Sequence, residues 1–219
     1  MLNEEIKDCR RCQRLAEFLD EIKIDHPDYY ARPVLSFGDT VPKLLIIGLA
    51  PGMHGANRTG RPFTGDFAGV LLYQTLYKFG LSSHHKSISI DDDLQLFGCR
   101  ITNAVKCMPP KNKPKNVEIL ECNKHLAAEI TTFIGRNGRA LLALGIIAHR
   151  ACLITMGLKF KIYPFQHGKA HTLPNGVILY DSYHCSRYNT QTKRLTVKMF
   201  EQVFEKISIN LKVPIKNKR

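Results

Sequence analysis

The apolar run Lys43-Leu-Leu-Ile-Ile47, followed by nineteen mostly polar and glycine-rich residues from Gly48 to Asp66, constrains this chain more than any other segment. The run reads as a buried parallel strand, and Phe67 to Tyr77 beyond the loop carries helical periodicity. A strand that reaches a helix this way opens a βαβ unit, and in open α/β sheets ligands bind outside the carboxyl ends of the strands. The loop holds five glycines together with His54, Arg58, Arg61 and Asp66. Glycine lets a backbone approach a ligand closely, and so long a connection is unusual unless it has a task.

The alternation continues along the chain. An opening helix is predicted from Asn3 to Lys23, within a segment 1–24. A second strand is expected at Phe97–Val105, then a rigid loop at Lys106–Pro114 punctuated by prolines. Helices follow at Asn116–Phe133, Ile146–Met156 and Gln191–Leu211, and strands at Ala140–Leu144 and Val177–Tyr180. Residues 212–219 form a basic tail. This pattern predicts one domain over 1–219, a three-layer α/β/α sandwich around a central four-stranded, mostly parallel sheet.

Charge narrows the partners. Lys and Arg number 32 against 19 Asp and Glu, a net +13 that suits a polyanion such as nucleic acid. No apolar run is long enough to cross a bilayer and no secretory segment opens the chain, so a cytoplasmic protein without membrane contact is expected. Seven cysteines, an odd number, read as metal ligands or core residues rather than disulfides. Cys9 and Cys12 form a C-x-x-C placed on the opening helix, where the spacing brings both thiols near one face. Cys107 opens the proline-rich loop and Cys122 sits on the next helix. Two ligands close in sequence and two from afar suit a tetrahedral thiolate site, and zinc or an iron–sulfur cluster would each satisfy it. Cys99 and Cys152 read as small core residues.

The third element is the stretch from Asp181 to Leu195, which also leaves the carboxyl end of a strand. His184 should therefore project at the same rim as the Gly48–Asp66 loop, where a neutral imidazole can donate to a developing anion. Ser186, Arg187, Tyr188 and Asn189 supply phosphate donors, a planar cation and an aromatic ring for a nucleic-acid strand.

Taken together these segments resemble the uracil-DNA glycosylases, in particular the iron–sulfur branch called family five, with family four the close second. The resemblance runs through Cys9-x-x-Cys12, Tyr30-Ala-Arg-Pro33, Phe37-Gly-Asp39, the Gly48–Asp66 loop, Val105-Lys-Cys-Met-Pro-Pro-Lys-Asn-Lys-Pro114, Cys122 and Ser182-Tyr-His184. It implies a [4Fe-4S] cluster on Cys9, Cys12, Cys107 and Cys122, with zinc the lesser alternative. It further implies a monomer that excises uracil and other deaminated bases, hypoxanthine and xanthine among them, from single- or double-stranded DNA in base excision repair.

By that resemblance Asp66 orients or activates water beneath the sugar, and His184 donates to the departing base. Asn112, in the Lys-Asn-Lys-Pro motif, is a further polar candidate. Phe63 offers an aromatic face to the extruded base, and main-chain groups at Ala50, Pro51 and Gly52 hold the base or the water. Asn103 stands where family four reads the base with an amide, while the apolar Leu49-Ala50 is as in family five. Arg58 and Arg61 join the 186–189 segment on the DNA-binding side. No lysine stands in a nucleophile motif, so a monofunctional hydrolase is expected. Cys185 replaces a proline common after the motif histidine. Three other readings are a strict family-four-like enzyme, a metal-stapled DNA-binding protein without chemistry, and a covalent uracil-DNA trap as in a sister branch, whose distinctive insertion near the first motif is not found in this sequence.

Overall fold

The computed structural model describes residues 2–212, so the predicted tail lies outside the described residues except for Lys212. The chain opens with α1 (Leu2–Lys7) and α2 (Gln13–Asp25), then β1 (Phe37–Gly38) and β2 (Leu44–Gly48). The glycine-rich loop holds the short α3 (Ala56–Thr59) and leads into α4 (Phe67–Lys78). Next come β3 (Cys99–Asn103), α5 (Asn116–Gly135), β4 (Ala140–Leu144) and α6 (Ile146–Thr155). The chain then forms β5 (Ala170–Thr172), β6 (Ile178–Ser182), α7 (Arg187–Gln191) and α8 (Val197–Leu211).

The sheet order is β1-β3-β2-β4-β6-β5. The four central strands are parallel, as expected; β1 and β5 add short antiparallel edges. Those edges are two and three residues long, too short to show a period in sequence. Every residue of β2 is buried because helices cover both faces. Successive side chains point to opposite faces. Leu44 and Ile46 join the core under α4 and α8, and Leu45 and Ile47 join the core under α5 and α6. Among the described residues no helix is long and apolar enough to cross a membrane.

Two predicted helices are broken. Between α1 and α2 the chain is not helical through Cys9–Cys12, and Cys12 takes φ −98° and ψ 91° as the residue before α2. The C-x-x-C is therefore a turn between helices rather than one helical face. Arg10 on Asp20 and Arg11 on Glu121 tie that turn to α2 and α5, and Arg14 on Glu118 ties α2 to α5. The last predicted helix is likewise two. Lys193 is left-handed at φ 57°, Leu195 turns into the core, and the Thr196 hydroxyl accepts from Met199 N to start α8.

Candidate active site

The loop after β2, the end of β3 and the segment after β6 all leave the carboxyl edge of the parallel strands. They enclose a cleft of about 440 Å³. Its floor depends on missing side chains. A Cβ on Gly48 would lie 2.3 Å from Asn103 Oδ1 and 2.7 Å from Phe63 Cζ, and one on Gly55 would lie 2.5 Å from Asp66 Oδ2. The glycines let the amide, the ring and the carboxylate rest directly on the main chain.

Asp66 and His184 both line this cleft. Asp66 also caps α4, its Oδ1 accepting from Gly69 N at 2.8 Å, which leaves Oδ2 beside Gly52 and Gly55. Burial raises its carboxyl above the ordinary aspartate range, outweighing the backbone bonds from Gly69 and Ala68. Burial pushes the His184 imidazole down to about 4, so the ring is neutral at pH 7. Asn189 Nδ2 donates to His184 O at 2.8 Å, and the ring stacks on Phe63 at 5.9 Å and 28°. The loop at Cys185 is thus held without the proline, with the cysteine buried in the core.

Asn103 pairs with Gly48 across the parallel ladder. It is 2 % exposed, and its Oδ1 has no hydrogen-bond partner although it lines the cleft. A buried amide oxygen without a donor marks where a ligand N–H belongs. Phe63 is buried at φ +55°. Ala50 and Gly52 line the cleft, whereas Pro51 is buried beside them and brings no N–H. Asn112 is exposed and left-handed at φ 56°, and it closes one rim.

The expected DNA-facing residues divide. Arg187 lies at the rim with its guanidinium 5.1 Å over Phe67, Tyr188 is 70 % exposed, and Arg58 is exposed with Nε on His54 O. Ser186 caps α7, and Asn189 spends its amide on His184 O, so both are tied into the loop's own structure. Arg61 is a correction. It is 3 % exposed, donates to Thr64, Ser87, Ser89 and Asp92, and stacks on Phe37. It fastens the glycine-rich loop to residues 87–92 and is not on a surface that DNA can touch.

Cys9, Cys12, Cys107 and Cys122 line one small pocket away from the cleft. Cys122 Sγ accepts from Lys106 N at 3.2 Å, and His125 Nε2 lies 3.4 Å from Cys9 Sγ. Burial pushes the Cys122 thiol up to about 11 and raises Cys12 and Cys107 as well. Thiolates there need a positive centre among them. Among the described residues no three of these sulfurs lie within 4.8 Å of one another. Four converging thiol groups fit a tetrahedral thiolate site, and zinc or an iron–sulfur cluster would each find its donors there. Cys99 and Cys152 are buried core residues.

The family model of the uracil DNA glycosylase superfamily matches residues 35–208. The chain belongs to that superfamily. It is 46 % identical over 200 residues to the type-5 uracil-DNA glycosylase of Thermus thermophilus, covering 89 % of this chain and 90 % of the relative. It is 41 % identical to the type-5 enzyme of Mycobacterium leprae, covering 93 % and 91 %. The type-4 uracil-DNA glycosylase of Sulfurisphaera tokodaii is more distant, 27 % identical over 93 % of this chain and 82 % of the relative. This family-five character agrees with the apolar Leu49-Ala50 at the cleft.

Two buried networks around this glycosylase cleft escaped the sequence reading. Asp181, at the end of β6, takes His149 Nδ1 at 2.6 Å, His171 Nε2 at 3.0 Å and Gln166 N at 3.1 Å. The other His149 nitrogen faces Tyr163 O at 2.8 Å, so its ring meets an acceptor on both sides. The second network joins Lys106 and Glu129 at 2.6 Å behind Asn103. Partners so far apart in sequence leave no local signal.

Proposed function

We propose that this chain is a monofunctional glycosylase that hydrolyses the bond between deoxyribose and uracil in DNA, and that it also releases hypoxanthine and xanthine. The observation that carries the reading is the convergence of Asp66, neutral His184 and the unpartnered Asn103 amide on one cleft. A target base has to leave the stack to reach such a recess. Breaking the bond from C1′ to the base leaves positive charge on the sugar, and the bonding electrons depart with the base. The Asp66 carboxylate opposes the first charge and aligns the water whose oxygen adds to C1′; that water sheds one proton, which balances the proton the anionic base takes up from solvent. His184, neutral, donates a hydrogen bond to the base oxygen without giving up its proton. Asn103 Oδ1 accepts from the N–H on the base edge while its Nδ2 donates to the neighbouring carbonyl. Cytosine presents the reverse pattern on that edge.

The same reading assigns a [4Fe-4S] cluster to Cys9, Cys12, Cys107 and Cys122. It would serve as a structural tie between the α1–α2 turn, the loop after β3 and α5. Arg58, Arg187 and Tyr188 are the exposed groups offered to DNA, the enzyme acting as a cytoplasmic monomer.

The test is alkaline cleavage of oligonucleotides carrying uracil, hypoxanthine or xanthine, in single- and double-stranded form, by the parent and by Asp66→Ala, His184→Ala and Asn103→Ala. We expect abasic product from each base and deep losses for the first two variants. Full turnover by Asp66→Ala overturns the mechanism, and release of uracil alone overturns the wider substrate range.

A further inference from the structure

Lys106 is a lysine with 1 % of its surface exposed, three residues past the end of β3 and on the far side of Asn103 from the cleft. Its Nζ donates to Asn103 O at 3.0 Å, to Thr102 Oγ1 at 2.5 Å and to Glu129 Oε2 at 2.6 Å. Thr102 donates to the same Glu129 oxygen at 2.8 Å, which closes a ring of bonds between β3 and α5. Lys106 N donates to Cys122 Sγ, and Lys106 O accepts from Val34 N. Both main-chain groups and all three Nζ protons are therefore committed. Glu129 Oε1 is buried without a partner.

Burying a lysine and a glutamate is costly, and replacing such a pair with apolar residues often leaves a protein as stable or more so. Stability is thus a weak account of this pair. What it does is aim the end of β3. Asn103 is the last residue of that strand, and beyond it Ala104 N and Val105 N bond to Gly48 O and Leu49 O, so the chain there is fixed from the cleft side. Lys106 fixes it from behind, through the carbonyl of Asn103 itself. No hydrogen bond holds Oδ1, so the placement of the amide depends on the main chain that Lys106 grips.

We propose that Lys106 and Glu129 are positioning residues for Asn103, setting the direction in which its amide meets the base. This rests on the reading of Asn103 as a base contact. The same lysine meets a cysteine of the sulfur pocket through its backbone N–H, so the test also follows iron.

The pair is removed together by Lys106→Met with Glu129→Gln, which leaves no unpaired buried charge; Lys106→Arg alone, which keeps a cation on Glu129, is the milder second variant. Single-turnover excision of uracil is measured beside binding to DNA carrying a tetrahydrofuran abasic analogue, which has no base to read, and beside iron content. We expect the paired variant to excise uracil about tenfold more slowly, with analogue binding and iron at the parent level. Adding Asn103→Ala to it should cost nothing beyond Asn103→Ala alone. Losses that multiply in the triple variant overturn the proposal. So does a fall of analogue binding or iron in step with excision in both the paired and the single variant. If Asn103→Ala excises uracil at the parent rate, the base-contact reading fails first, whatever Lys106 does.

Discussion

His149 Nδ1 lies 2.6 Å from Asp181 Oδ1, joining α6 to the end of β6 three residues before His184. Both groups are fully buried, and His149 Nε2 meets a carbonyl rather than a donor. The carboxylate and its two imidazoles therefore clamp the edge from which the His184 loop departs. Asp181→Asn should destabilise the fold by about 3–5 kcal/mol, the usual cost of breaking a buried pair from one side. Urea denaturation measures it. A loss below 1 kcal/mol would show that the network is incidental.

Asp66 both caps α4 and faces the cleft, and Asp66→Asn separates the two roles because asparagine keeps the cap. Burial raises the folded carboxyl above its unfolded value. Between those values the native state holds the extra proton, so this group's contribution to stability falls as pH rises. Removing the charge should leave the melting temperature at pH 7 equal or higher while single-turnover excision drops about 10²–10³-fold. A melting temperature that falls with the rate would mean that the carboxylate is structural.

His184 has the opposite sign. Its folded value, about 4, lies below the 6.5 of an ordinary histidine, so the unfolded chain binds the extra proton between them. The stability linked to this ring is complete above about 6.5 and is lost as pH falls towards 4. His184→Ala should flatten the pH dependence of stability across that window and slow excision about 100-fold at pH 7. An imidazole resonance of His184 that titrates well above 7 would contradict a neutral donor.

Arg61 and Arg187 should behave differently although both stand near the cleft. Arg187→Ala should weaken binding to any DNA sequence and reduce the salt slope by about one, as loss of a phosphate contact does. Arg61→Ala should instead lower the melting temperature, since it strands the Asp92 carboxylate and loosens residues 87–92. If Arg61→Ala reduced DNA affinity in a protein of unchanged stability, its burial would not describe its role.

Cys107→Ser should yield a paler protein with less iron and a lower melting temperature. Metal analysis of the parent protein decides between iron and zinc. A colourless zinc protein of full activity would remove the cluster and leave the assignments of Asp66 and His184 untouched.

The four parallel strands, the cleft loop and the placement of Asp66 and His184 at one cleft were legible because each rests on local signals. A continuous apolar run of strand length, a dense set of glycines and a motif histidine after a strand are read without knowing what packs where. The C-x-x-C was misplaced on a helix because nothing local marks the break, whereas the partner of Arg11 in the turn, Glu121, stands far along the chain. Arg61 was misread for a related reason: an arginine in a basic loop has the same sequence signature whether solvated or buried.

Local pattern and side-chain chemistry, both written along the chain, determined the α/β class, the four cysteines that meet in one pocket, and Asp66 with His184 as residues of one cleft. Tertiary structure alone decided that Arg61 turns inward, that Asn103 keeps an open acceptor, and that Lys106 and Asp181 are buried among partners. Burial and long-range pairing are properties of the packed whole: desolvation and a partner more than twenty residues away set a charge's role there, and no window of sequence contains either.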